Sequence, residues 1–449
     1  MFTTRATLCA IGIKLRELKI FETIGDHVRV PQKNVRHTPL EKLTDAFIAL
    51  LAGASGLCEI NTRVRADRAL QKAFGRASCA EQSTVQETLS ACTRENVRQM
   101  RDALNAILKK CGRTYSHPYE KKLQLLDADM SGLPSGPKAE LAARGYFPKR
   151  YECHGRQLAR VTSALYHEVV TDVVCPGNVQ LRETLCPLVE LTEEARELNA
   201  ENRRRTVWRV DAGVGSLRRV NWLLGRGYQI HLKDCSSKRA EAFAQKVREW
   251  HRDPDNPERE FGWATGEKLD NLRNVRRLIL RAPHKKGGVY YAARLSTLTA
   301  RQVFDLLEMP AHGLSDPGAV LHAYVKLYDG RGGAVEIEFK QDKQGFGLTK
   351  RNKKSYFAQQ IVQMLGTLAH NVLRWAIAWL SKSAPKLNRY GSMRIVRDVF
   401  AAAGRIEINA GETIQRIVIN RAVPLARALV KSLRLLLKPF KIKVILGET

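Results

Sequence analysis

Residues 328–343 read YDGRGGAVEIEFKQDK. An aromatic ring (Tyr328), two cations (Arg331 and Lys343) and an acid (Glu336) fall within one short, helix-like segment. A solvated helix face accommodates such a mixture. So does a carboxylate that grips a divalent cation beside a phosphate backbone, with the cations and the ring facing the same polyanion. The second reading needs two more carboxylates upstream.

The composition favours a polyanionic partner. The chain has 449 residues, with 75 Lys and Arg against 45 Asp and Glu, a formal charge of +30. Neutralising phosphates releases counterions and gives affinity, so double-stranded DNA is the expected partner and an anionic membrane surface the alternative. The best apolar run, AFIALLAGASGLC at 46–58, is shorter than the roughly 20 residues a membrane span needs. The N-terminus has no charged-then-apolar signal pattern. A cytoplasmic, nucleoid-associated location is the default expectation. The nine cysteines are odd in number and form no C-x-x-C pair, which points to free thiols in a reducing compartment. Cys153-His154 is half a zinc site at best. There is no GxxxxGK[ST] phosphate loop and no Gly-x-Ser-x-Gly elbow.

The texture changes along the chain. Residues 39–112 read as helical: PLEKLTDAFIALLAG places Leu43, Phe47, Leu50 and Leu51 at helical spacing. In the next helix, Ser83 with Gln86 and Thr84 with Glu87 fit a capping box. A helix-turn-helix reader and an ordinary helical bundle both fit. From 121, KKLQLLDAD, the Val- and Thr-rich run at 151–177, RTVWRVDAG and YQIHLK read as strands, separated by helices at LCPLVELTEEARELNAENR and SLRRVNWLLGRG. Residues 236–318 read as a β-rich insertion, and 355–380 as a long buried helix. The chain thus divides into 1–115, an N-terminal helical DNA-binding domain; 116–235, the first part of an α/β core; 236–318, the insertion; 319–381, the second part of the core with the glutamate helix; and 382–449, a basic C-terminal helical region.

Two strand-end acids join Glu336. LLDADMSG offers Asp127 and Asp129, two apart on a strand and so on one face. VWRVDAGVG offers Asp211, after an apolar strand and before a glycine-bearing turn. Functional groups of α/β sheets gather at the carboxyl ends of strands. Converging carboxylates repel one another unless cations bind them, and phosphoryl transfer by a pair of divalent ions needs such a set.

With these residues in view, the chain resembles an insertion-sequence transposase of the DDE, RNase H-like superfamily. It is similar to the branch with a Y-R-E-K signature, which includes the groups called insertion sequence four and insertion sequence thirteen-eighty. Tyr328-x2-Arg331 and Glu336-x6-Lys343 match the signature, while the middle gap is four residues rather than three. Glu338 is the alternative to Glu336, which keeps the spacing to Lys343. RVDAGVGSLRRVNWLLGRGY resembles the second-aspartate block, and DADMS the first, favouring Asp129 over Asp127 with Ser131 in the position of the family's Thr or Ser.

The resemblance implies an RNase H-like mixed sheet flanked by helices and interrupted by the β insertion. It implies that Asp129, Asp211 and Glu336 hold two Mg²⁺ ions, with Mn²⁺ able to substitute, for cleavage at terminal inverted repeats and strand transfer into target DNA. It gives Tyr328, Arg331 and Lys343 to the DNA strand near the cut, and a homodimer to the DNA complex. The basic run Lys350, Arg351, Lys353 and Lys354 reads as backbone contact, or as a solvated turn. Trp222 reads as core, and Trp263 as core or as support for a displaced base.

Overall fold

The computed structural model describes residues 1–33, 36–147, 153–265, 275–284 and 287–448. The N-terminal part is helical: α1 (Ala6–Glu17), α2 (Ile20–His27), α3 (Pro39–Leu51), α4 (Gln82–Ser90) and α5 (Arg94–Cys111), with short helical turns between α3 and α4. The start of α3 is set by Thr38, which exchanges capping-box bonds with Glu41 ahead of a Pro at the first turn. The sequence TVQETL does not cap α4, whose preceding residue is Glu81 without a side-chain cap. The capping box falls later, at Thr93 and Asn96, so the segment read as one helix is two.

The central sheet is mixed. Strands β1 (Gln124–Pro134), β2 (His154–Ser163), β3 (Glu168–Pro176), β4 (Thr206–Arg209) and β5 (Gln229–Lys233) lie in the order β3-β2-β1-β4-β5. The β1–β2 and β2–β3 pairs are antiparallel; the β1–β4 and β4–β5 pairs are parallel. Helices α6 (Leu181–Arg196) and α7 (Leu217–Gly225) occupy the crossovers around the parallel strands. On one face, Leu126, Ala128, Trp208, Val210 and Ile230 pack with Leu185 and Leu188 of α6 and Leu223 of α7. On the other, Leu125 and Val207 pack with Tyr324 and Leu327 of α8 (Pro317–Gly345). The odd-numbered residues of β1 therefore face α8, and Asp127 and Asp129 share that phase.

The insertion continues the same sheet. Strands β6 (His251–Asp253), β7 (Asn256–Trp263), β8 (Arg276–Pro283) and β9 (Val289–Ser296) form an antiparallel array, and β9 pairs with β5 through Arg294↔Lys233. In SKRAEAFAQKVREWHR the helix stops at Ala244, and Val247 bridges to Ala264 as the chain turns into the strands.

The ends of the chain do not fold apart from one another. Helix α9 (Tyr356–Leu380), buried as expected, shares one apolar core with α1, α3, α5 and the C-terminal segment. That segment is not purely helical. It contains β10 (Gly404–Ile408), β11 (Ile414–Asn420), α10 (Ala426–Leu437) and β12 (Lys443–Gly447), and the N-terminal Phe2–Thr3 pairs with β10. The Ile and Val alternation in GRIEI and IQRIVIN is strand chemistry, and Pro439 ends the amphipathic helix so that KVILG can pair with β11. The ranges 1–115 and 382–449, separate in sequence, are thus joined through a common core. Among the described residues, no helix is long and apolar enough to cross a membrane.

Candidate active site

The parallel ladder between β1 and β4 ends at the pair Asp127↔Arg209. Asp129, within β1, and Asp211, just after the end of β4, each stand two residues beyond that pair. Glu336 comes from α8, which covers the same face. All three acids line one open cleft of about 1370 Å³. Burial pushes the Asp129 carboxyl above its ordinary range; Arg331 pulls it back, and the charges of Asp211 and Glu336 add to the rise. The charges of Asp211 and Glu336 thus reach Asp129 across this cleft.

Asp127 and Asp129 are separated by their surroundings. Asp127 is buried, and the Arg209 Nε and Nη2 donate to its two oxygens at 2.6 Å each, so it is a structural ion pair. Asp129 lies at the cleft, with Oδ1 accepting from the Met130 amide at 2.8 Å. Glu338 is bonded to His167 at 2.8 Å, whereas Glu336 is exposed and lines the cleft.

The donor set suits a hard cation. Asp211 Oδ1 is buried and accepts no hydrogen bond among the described residues, a costly state for a carboxylate that a bound cation would relieve. The cluster is not closed around a single point, however. Among the described residues, the group with all ligand atoms within 4.8 Å of one another is Asp253, Asp255 and His322, in the insertion. Those side chains already have partners: Arg259 pairs with Asp253, and His322 Nε2 lies 2.9 Å from Asp255.

The signature residues dock α8 onto β1 and the end of β4. Tyr328 is buried; its hydroxyl donates to the Val210 carbonyl at 3.3 Å, one residue before Asp211, and Arg294 of β9 lies 4.0 Å over its ring. Arg331 is buried; its Nη2 donates to the Ala128 carbonyl at 2.9 Å and stands 3.4 Å from Asp129 Oδ2. Lys343 Nζ donates to Ser131 Oγ at 2.6 Å and to the Gly132 carbonyl at 2.7 Å. Burial, with Arg160 nearby, lowers the Lys343 ammonium to about 8. Lys343 lines the cleft, while the burial of Tyr328 and Arg331 departs from the expected direct contact with a DNA strand.

The basic run splits in two. Lys350 and Lys354 are exposed, and Lys350 lines the cleft. Arg351 and Lys353 are buried, which corrects their assignment to backbone contact. Arg351 donates to the carbonyls of Phe346 and Ala54, at 3.0 and 2.6 Å, and Lys353 donates to Gln86 at 2.5 Å. Both side chains are spent on holding the core to the N-terminal helices. Trp263 packs edge-on against Tyr324 with ring centroids 4.9 Å apart, away from the cleft lining, and Trp222 packs beside Arg226.

One anchor of α8 escaped the sequence reading. Asp342 is buried and accepts from Arg160 at 2.7 Å, Ser392 at 2.9 Å and His370 at 2.9 Å. His370 in turn contacts the His167 carbonyl at 2.8 Å, and Arg160 stacks over Phe339 at 5.0 Å. The visible signal was a lone histidine in the apolar run of α9, together with an acid directly before Lys343.

No family model and no curated protein matches the sequence. Among solved structures, the chain is similar to a piggyBac transposase in a synaptic complex with hairpin DNA, solved by cryo-EM. The two share 14% identity at a TM-score of 0.47, over 86% of this chain and 79% of that one. A superposition of that quality marks a likeness and carries no functional weight.

Proposed function

We propose that this protein is a DNA transposase of the DDE type, built on an RNase H-like core. The observation that carries the reading is the convergence of Asp129, Asp211 and Glu336 on one cleft, from β1, the end of its parallel neighbour β4 and a covering helix. The β3-β2-β1-β4-β5 order, interrupted before α8 by the β insertion, fits that core. The spacing of Tyr328, Arg331, Glu336 and Lys343 supports the Y-R-E-K branch.

Two Mg²⁺ ions bound by the three acids, or Mn²⁺ in their place, would activate the attacking oxygen and stabilise the leaving one. The chain's own groups do the rest. Arg331 and Tyr328 hold β1 and the end of β4 against α8, so the carboxylates are set before DNA arrives. Lys343 and Lys350 supply positive charge on the cleft wall for phosphate oxygens. Cleavage at a terminal repeat leaves a 3′-hydroxyl, which then attacks target DNA in line. Pairing two ends calls for a homodimer.

A second reading, a catalytically silent DNA-binding protein of transposase descent, is favoured by the acid oxygens not all lying within 4.8 Å and by the Arg331 guanidinium beside Asp129. Nicking of end-containing DNA separates the two. The proposal expects Mg²⁺-dependent nicking that Asp211→Ala abolishes; repeat binding with no metal-dependent nicking supports the silent binder. Nicking indifferent to the terminal repeat indicates a nuclease of the same fold.

A further inference from the structure

Arg294 of β9 is a buried cation with few partners. It is 7% exposed, and neither its Nε nor its Nη1 finds an acceptor among the described residues. Asp329 Oδ1 stands 3.8 Å from its Nη2, and Asp329 already pairs with Arg259 of β7 at 2.7 Å. Burial works against the Arg294 charge and lowers the guanidinium from its ordinary value. A buried charge is costly unless it is paired and hydrogen-bonded, and an apolar side chain of similar length would fill the space without that cost. What the guanidinium does cover is the ring face of Tyr328, 4.0 Å away.

That ring reaches the turn that carries Asp211. The Tyr328 hydroxyl donates to the Val210 carbonyl at 3.3 Å, and the same carbonyl accepts from the Lys233 amide at 3.4 Å. Both bonds are long, so neither holds the carbonyl tightly by itself. Asp211 Oδ1, buried and without a hydrogen bond among the described residues, adds no anchor of its own. The place of Asp211 therefore depends on the backbone before it. A cation over an aromatic face is attracted to the ring and keeps it seated. It also draws electron density from the phenol, which makes the hydroxyl a stronger donor. Arg259 grips Asp329, the next residue of α8, so the β insertion holds this turn of the helix at two adjacent side chains.

We infer that Arg294 is a positioning residue for Asp211, acting through the Tyr328 ring. The inference rests on the reading of Asp211 as a site residue given above, and it extends the support of that site into the β insertion.

The test is hydrogen exchange, read by mass spectrometry over residues 208–216 of the full-length, metal-free protein, beside urea denaturation. Wild type, Arg294→Met, Arg294→Lys, Tyr328→Phe and the Arg294→Met/Tyr328→Phe double variant are compared. Arg294→Met is expected to exchange about ten-fold faster across this segment and as wild type elsewhere. Its urea midpoint stays at or above that of wild type, because a poorly partnered buried charge has been removed. Arg294→Lys keeps the cation and exchanges within about three-fold of wild type. Tyr328→Phe reproduces the local rise, and the double variant adds nothing to either single one, since the two side chains act in series. Exchange in Arg294→Met equal to wild type overturns the inference and leaves the transposase reading intact. A rise over the whole chain with a lower urea midpoint, or failure to fold, marks general packing and overturns it too. Additive rises in the double variant also overturn it, since Arg294 would then act by a route other than Tyr328. If wild type fails to nick terminal-repeat DNA, the transposase reading falls, while the exchange comparison still decides whether Arg294 positions Asp211.

Discussion

Arg331 donates to the carbonyl of Ala128 at 2.9 Å, which fixes the helix bearing Glu336 to the strand bearing Asp129. Tyr328 does the same at Val210 and Lys343 at Gly132, so three of the four signature side chains bond to backbone within three residues of an acid. A segment that looked like a set of DNA contacts is, in the free protein, largely a device for holding three carboxylates in place.

Arg331→Ala leaves the Ala128 carbonyl without its donor and Asp129 without its nearest cation. An unsatisfied buried group costs about 1–3 kcal/mol, which urea denaturation would read as a lower midpoint. Nicking should fall further than stability alone explains. Arg331→Lys should recover part of the stability and little of the nicking, because a point charge does not reproduce the planar fork.

Arg351→Ala and a Lys350→Ala/Lys354→Ala double variant should behave in opposite ways. Loss of the buried Arg351 lowers the denaturation midpoint. Loss of the exposed pair leaves the midpoint unchanged and weakens DNA binding with a shallower salt dependence, by about one unit of slope per lost phosphate contact. Binding at several salt concentrations, beside urea melts, distinguishes the two.

The Asp342–His370 pair has a defined pH signature. Burial alone would lower His370, but Asp342 outweighs it and holds the imidazolium above its usual 6.5. Its contribution is therefore complete below about pH 6.5 and is lost as pH rises through the raised value. Burial would raise Asp342, yet His370 and Arg160 hold it down at about 2, so its contribution persists until pH falls through that value. Wild type should lose stability from pH 6 toward pH 9, roughly, and His370→Gln should flatten that slope. Asp342→Asn should destabilise by about 3–5 kcal/mol, since it leaves Arg160 buried without its charge partner.

Lys343 gives a separate pH dependence, in DNA binding. Its ammonium, lowered to about 8, loses charge as pH rises past that value, so affinity for DNA should decline there. A bound phosphate raises the ammonium again and moves the decline to higher pH. Lys343→Met should bind more weakly at pH 7 and show no such decline, measured by anisotropy across pH.

Much of this was legible in the residues. The apolar runs ending in Asp129 and Asp211 marked strands, and the alternation in LLDAD put Asp127 and Asp129 on one face. The sequence could not separate those two acids, because the difference lies in Arg209, which is local in space and 82 residues away in the chain. It also could not tell that Arg351 and Lys353 turn inward while Lys350 and Lys354 face solvent, since the carbonyls and amide that receive them come from the N-terminal helices and the chain just before them. The C-terminal strands were missed because net charge and amphipathicity dominated a segment whose Ile and Val alternation was the stronger signal.

In the proposed function, Asp129, Asp211 and Glu336 form one cation-dependent cutting site. Its most direct test is Mg²⁺-dependent nicking of terminal-repeat DNA by wild type, Asp129→Asn, Asp211→Asn and Glu336→Gln, each first shown to be folded and to bind DNA. Nicking by wild type alone is expected, with all three variants at the metal-free background. Nicking at the wild-type rate by Asp211→Asn would contradict it.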